Sequence, residues 1–149
     1  MWGVAVAKPK VMVALRDAGS VESLVTLACQ VSGGMDAELI ALHVIELPMA
    51  TPIEADDEVL EGPGREILAH AQRFAARAFS REISTRLLRA RQAGEAVVGE
   101  AEESRVELLV IGYHQPHTLG EILLGSTAQY IIRHAPCRII VQIPPLHER

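Results

Sequence analysis

Short, nearly continuous apolar runs alternate along this chain with segments whose apolar positions recur every three or four residues. The runs Lys10 to Leu15, Glu38 to Ile45 and Val106 to Ile111 have the pattern of strands buried on both faces of a parallel sheet. A fourth run, Arg138 to Ile143, is expected at a sheet edge, with Ile139, Val141 and Ile143 on one face and Ile140 on the other. A fifth segment, Ile83 to Arg89, sets Ile83, Thr85 and Leu87 against Ser84, Arg86 and Leu88. Such alternation, with one wetter face, predicts a strand at a sheet edge. Pro144-Pro145 stops the last strand, because proline cannot continue a ladder.

Helical spacing fills the gaps between strands. After Ser20, a residue suited to an N-cap, Val21, Leu24, Val25, Ala28 and Val31 repeat until Gly33-Gly34, where the helix is expected to end. Pro63 suits a first helical turn, and Ile67, Ala71, Phe74, Ala75 and Ala78 follow as an apolar stripe. Val97, Val98 and Ala101 mark a shorter helix after Gly94. A final helix opens at Gly125-Ser126-Thr127 and runs through Tyr130-Ile131-Ile132. From Glu46 to Gly62 periodicity disappears and charge accumulates at Glu54, Asp56, Asp57, Glu58 and Glu61. That segment reads as a solvated, mobile loop, with a lid or a metal holder as the lesser alternative.

Strand and helix alternate five times, which predicts a parallel sheet with right-handed crossovers and helices on both faces. The 149 residues amount to one domain, 1–149, with loose tails at 1–8 and 145–149. Apolar residues make up 49% and aromatics only 3%, so Val, Ile, Leu and Ala must build the core. A net charge of −5 without a basic stripe argues against a nucleic-acid partner. The two cysteines, Cys29 and Cys137, do not suggest a disulfide framework; reduced, buried thiols are expected. The opening apolar residues are too few for a signal peptide, and no apolar run approaches membrane-spanning length. A soluble, cytoplasmic protein without direct membrane insertion is the resulting expectation.

Candidate chemistry concentrates between Val106 and Ala128. A buried strand stops at Gly112, a polar segment from Tyr113 to Thr118 follows, and Gly125-Ser126-Thr127 opens a helix. Strand, loop and helix N-terminus in that order can present free N–H groups and the positive end of a helix dipole to an anion. Glycine at 125 lets backbone approach a phosphate, and the hydroxyls of Ser126 and Thr127 can donate to it or cap the helix. His114 and His117 lack the third ligand that a zinc site needs. His43, inside a strand, reads as a hydrogen-bonded core residue. Ser32-Gly33-Gly34-Met35-Asp36 has the look of a pyrophosphate loop, but it follows a helix and opens a strand, so a helix C-cap explains it better. No nucleophile–base pair and no paired carboxylates converge by spacing, so no catalytic residue is assigned.

The chain resembles the universal stress protein family. The likeness spans Lys10 to Leu15, Leu42-His43-Val44, Gly94 through Gly112, and Ala135-Pro136-Cys137 entering the last strand. Nucleotide-binding members carry Gly, two residues, Gly, nine residues, then Gly-Ser or Gly-Thr. Gly112 and Gly125-Ser126 fit, while Gln115 replaces the second glycine, where its amide could donate to phosphate or its bulk could crowd it. The resemblance implies a five-stranded Rossmann-like sheet of order 3-2-1-4-5, like that of adenine nucleotide alpha hydrolases, with a ligand at the carboxyl ends of the first and fourth strands. It further implies an adenine nucleotide, ATP foremost, with or without Mg²⁺, held by Ala14, Leu15, Asp17, Val44, Ile111, Gly112, Gln115, Gly125, Ser126 and Thr127. Val44 and Ile111 would pack the adenine ring. Asp17 is either a ligand contact displaced by one residue or a turn residue paired with Arg16. The family commonly forms homodimers through the last strand, here Arg138–Ile143. The role implied is regulatory, in stress response, with slow ATP hydrolysis at most. The alternative is a nucleotide-free interaction domain, and the Ser20 to Leu24 segment resembles stress domains that act on transporters.

Overall fold

The computed structural model describes residues 7–54, 58–113 and 125–145. Along the chain lie β1 (Lys10–Ala14), a 3-10 turn (Ala18–Ser20), α1 (Val21–Met35), β2 (Glu38–Glu46), α2 (Glu58–Phe79), β3 (Ile83–Ala90), α3 (Ala93–Glu103), β4 (Leu108–Gly112), α4 (Ser126–His134) and β5 (Arg138–Gln142). All strand pairs are parallel and the order is β3-β2-β1-β4-β5. In register, Met12 of β1 stands between Ile40 of β2 and Leu109 of β4. β2 and β3 continue from β1 toward one edge, β4 and β5 toward the other. The carboxyl ends of β1 and β4 therefore flank the point where the winding reverses, the usual ligand position in such sheets.

The sheet separates two apolar layers, as the unbroken strand runs demand. On one face Val11, Val13, Leu39, Ala41 and Val110 pack against α1 and α2. On the other, Met12, Ile40, Leu42, Leu109 and Ile111 meet Val97 and Ala101 of α3 and Ala128 and Ile131 of α4. Gly94 permits that second layer to close, since a Cβ there would stand 3.0 Å from Tyr130 Cβ on α4. Cys29 packs in the first layer and Cys137 against the second, and both are free thiols. Burial pushes both thiols up from their usual range, partly countered at Cys29 by the Arg81 guanidinium.

Two helix boundaries differ from the sequence reading. α1 does not end at Gly33-Gly34; it runs through them to Met35, and Asp36 adopts the left-handed conformation at φ 51°. The Asp36 N–H donates to the carbonyls of Gly33 and Ser32. Asp tolerates that conformation better than most side chains, so the two glycines are not needed as the stop. At the other end of α1, Ser20 holds the N-cap position but makes no side-chain capping bond.

The second difference is at α2, which already covers Glu58 and carries Pro63 inside it. The span from Glu58 to Gly62, read as loop, is helical. Pro63 removes one rung of the ladder, and ion pairs support the turn around it. Glu61 accepts from Arg65 and, across to β3, from Arg89, whose Nε is 3.0 Å away; Glu58 pairs with Arg65 at 2.6 Å. Two glutamates at a helix start also complement its dipole. The buried stripe of α2 is Gly64, Ile67, Leu68, Ala71 and Ala75, while Ala78 is exposed.

Gly64 is where α2 comes nearest the sheet. A Cβ there would stand 2.8 Å from His43 Cδ2 and 2.9 Å from Leu87 Cδ1. Gly64→Ala should therefore destabilise the fold by about 1–2 kcal/mol, overpacking outweighing the ~1 kcal/mol gained in helix propensity. Urea unfolding checks it: a midpoint equal to or above wild type would mean that the imidazole moves aside without cost.

Candidate functional site

β1 ends where its chain leaves the sheet, and the departure is held in place. The Leu15 N–H donates to the Leu42 carbonyl at 2.8 Å, and the His43 Nδ1–H donates to the Leu15 carbonyl at 2.7 Å. A carbonyl only accepts, so the Nδ1 nitrogen carries the proton. Beyond it Asp17 is extended and caps the 3-10 turn, its Oδ1 accepting from the Ser20 N–H at 3.1 Å. The Ser20 hydroxyl donates back to the Asp17 carbonyl at 3.3 Å. Asp17 thus sits in a turn with Ser20 as its hydrogen-bond partner.

β2 presents Leu42, Val44 and Glu46 on one side, two residues apart as the strand period requires. Glu46 Oε1 accepts from the Ala93 N–H, the first of α3, at 2.8 Å. On β4, Ile111 closes the floor and Gly112 follows; a Cβ at Gly112 would lie 3.1 Å from Leu24 Cδ1 on α1, a tight approach to a side-chain end. α4 starts at Ser126 with Gly125 as an N-cap that has no side chain to offer. Its first intrahelical bond runs from the Gln129 N–H to the Gly125 carbonyl at 3.0 Å. The N–H groups of Ser126, Thr127 and Ala128 consequently have no acceptor within the helix.

These ends surround a cavity of about 170 Å³. Ala14, Leu15 and Asp17 line it from β1 and the turn, Val44 from β2, Ile111 and Gly112 from β4, and Gly125 and Thr127 from the start of α4. Ser126 is not in its wall, although it belongs to the same helix turn. Gln115 lies outside the described residues, as do His114 and His117. Among the described residues no group of three His, Cys, Asp or Glu side chains could hold a metal ion.

The sequence reading did not include Leu42, Glu46, Ala93 or Val97, which also line the cavity. Glu46 had a signal: it shares the parity of Val44 along β2, and it ends an otherwise apolar run with a charge. Ala93 and Val97 had none, because their place depends on how α3 folds back over β2.

Gly125 differs from Gly112 in its surroundings. Its φ of −66° and ψ of 168° suit any residue, and no described atom lies within 4 Å of where its Cβ would be. Neither backbone conformation nor described packing requires a glycine here.

An open, doubly wound parallel sheet with a cavity at its switch point defines an α/β domain of the Rossmann-like class. Residues 9–142 match the model of the universal stress protein family, and the chain belongs to that family. It is 31% identical over 127 residues to universal stress protein MJ0531 of Methanocaldococcus jannaschii, covering 81% of this chain and 74% of that one. Among solved structures it is similar to a universal stress protein in complex with cAMP, with 25% identity, TM-score 0.68, and 92% and 98% of the two chains covered. It is also similar to the universal stress protein from Archaeoglobus fulgidus in complex with dAMP, with 18% identity, TM-score 0.70, and again 92% and 98% covered. No helix among the described residues is long and apolar enough to cross a membrane.

Proposed function

We propose that this universal stress protein binds an adenine nucleotide in the switch-point cavity, ATP foremost, and serves as a cytoplasmic regulatory module in stress response. The phosphates lie at the N-terminus of α4, where N–H groups without an acceptor inside the helix and the helix dipole favour negative charge. The base packs on Val44 and Ile111. The observation that carries the reading is Gly125: a glycine that neither its dihedrals nor its described neighbours require, beside a cavity and at a helix start. Close approach of a ligand to backbone explains the missing side chain. The cAMP and dAMP held by two structural neighbours support the same class of ligand.

Calorimetric titration with Mg-ATP, ADP and AMP tests the proposal, together with mass spectrometry of ligand released from freshly purified protein. Saturable one-to-one binding of at least one of them is expected. A protein that purifies empty and takes up none is instead a nucleotide-free interaction domain.

We further propose a homodimer paired through β5. Among the described strands β5 has β4 alone as a neighbour, and its run Ile139-Ile140-Val141 is half-buried, with Ile143 just beyond it exposed. An apolar edge of this kind invites pairing with a second copy. Light scattering should give the mass of a dimer, and Val141→Pro should shift it to monomer or precipitate. A monodisperse wild-type monomer at micromolar concentration would overturn the arrangement.

A further inference from the structure

Among the described residues the cavity wall holds a single cation, Arg16, and the reading above gives it no role. Arg16 follows β1 between Leu15 and Asp17 and is exposed. Its backbone is held on both sides. Before it, the Leu15 N–H donates to the Leu42 carbonyl, and His43 donates to the Leu15 carbonyl. After it, the Asp17 carboxylate takes the Ser20 N–H and caps the turn. The guanidinium makes no hydrogen bond or ion pair with any described residue, the adjacent Asp17 included. The two acidic residues of the wall have partners on the backbone instead, Asp17 on Ser20 and Glu46 on the Ala93 N–H. A phosphate entering the cavity approaches both carboxylates, and repulsion between like charges grows where water is excluded. Among the described lining groups, the start of α4 and Arg16 are what oppose it.

We propose that Arg16 is a ligand-binding residue, donating from its guanidinium to a phosphate group of the bound nucleotide and so selecting phosphorylated adenosine over adenosine. The inference rests on the nucleotide reading of the cavity. A guanidinium is a permanent cation whose planar fork of N–H donors matches two oxygens of a phosphate. It offers no acceptor, so it gains nothing from a ribose hydroxyl that needs one. The anchored backbone lowers the cost of binding, since only the side chain has to be ordered when the anion arrives. Two positions on a nucleotide carry such a group. One is the 5′-phosphate, which the N–H groups opening α4 also favour; the other is a phosphate borne on the ribose. The chemistry at Arg16 is the same for both, and a short series of ligands separates them.

The experiment is a titration of wild type, Arg16→Gln and Arg16→Lys with adenosine, AMP and adenosine 3′,5′-bisphosphate. Melting temperatures of the three proteins should agree, because the exposed guanidinium has no described partner to lose. In Arg16→Gln, affinity for a phosphorylated ligand should fall about tenfold, the worth of one charge-assisted hydrogen bond at an open site. Affinity for adenosine should stay that of wild type. Arg16→Lys should recover part of the loss, since it keeps the charge and gives up the fork. A loss shared by AMP and the bisphosphate places the contact on the 5′-phosphate, and a loss confined to the bisphosphate places it on the ribose phosphate. Unchanged affinity of Arg16→Gln for both phosphorylated ligands overturns the inference while leaving nucleotide binding in place. An equal loss for adenosine also overturns it, because the contact is then not with phosphate. Failure of wild type to bind any of the three removes the nucleotide reading itself, a result that cannot be confused with the other two.

Discussion

Gly125→Val should lower nucleotide affinity by more than about a hundredfold, close to 2.7 kcal/mol, while the melting temperature stays near that of wild type. The stability half of the prediction follows from the backbone. At φ −66° and ψ 168° Gly125 sits in the extended region, which valine prefers, and its Cβ direction meets no described atom within 4 Å. Substitutions at such surface positions usually change stability by about 0.5 kcal/mol or less. The binding half follows from the cavity. Gly125 lines it next to the N–H groups that open α4, and two branched methyl groups would occupy the space through which an anion reaches those donors. Calorimetry with Mg-ATP on both proteins, alongside thermal unfolding, reads the two halves separately. Equal affinity would remove the phosphates from this helix. Lost affinity with a collapsed melting temperature would make the glycine structural instead.

The second large effect is on stability. Leu109 is fully buried in the middle of β4, between Met12 on β1 and Ile139 on β5 in register, and beneath the layer formed by α3 and α4. Leu109→Ala should cost about 2–5 kcal/mol, combining lost apolar transfer with a cavity that a central parallel strand cannot collapse to fill. For a domain of this size each kcal/mol corresponds to roughly 2–4 °C in melting temperature, so a fall of about 10 °C is expected. Urea unfolding measures the free energy directly. A loss below about 1 kcal/mol would show that Met12 or neighbouring aliphatic chains move into the space. Among native stabilities of roughly 5–15 kcal/mol, the larger figure would leave the variant partly unfolded at growth temperature.

The two variants probe different levels of the same molecule, and they differ in how far the sequence alone could locate them. Leu109 belongs to a run whose continuous apolar character already marks a strand covered on both faces. Gly125 is marked by spacing to Gly112, but the two glycines have unlike surroundings. Gly112 lies close to Leu24 on α1, an element far away in the chain, and Gly125 close to nothing described. Only the folded arrangement separates a glycine close to another element from one with no described atom beside it.

Strand positions, the parallel sheet and the edge character of β3 were legible because they depend on burial alone, and burial writes itself into the order of apolar and polar residues. Helix ends were less legible, because several local signals compete. Gly33-Gly34 look like a stop, yet Asp36 ends α1, and Pro63 looks like a start, yet α2 already spans Glu58. In the second case the deciding contacts are the Glu61 pairs with Arg65 and Arg89, the latter reaching across to β3. A charge-rich segment without periodicity gives no sign of such a partner.

What the amino-acid sequence determined by itself was therefore the layered architecture and the stretch of chain in which an anion site could form. Hydrophobic burial is non-directional and additive along the chain, so its pattern survives without knowledge of neighbours. What only the tertiary structure decided was which polar groups meet at the ends of the strands: Asp17 turned onto Ser20, His43 holding the Leu15 carbonyl, Glu46 seated on the first N–H of α3. Hydrogen bonds are short and directional, and two of these three join residues 28 and 47 positions apart in the chain. Their partners are chosen by how helices and strands come to rest on one another.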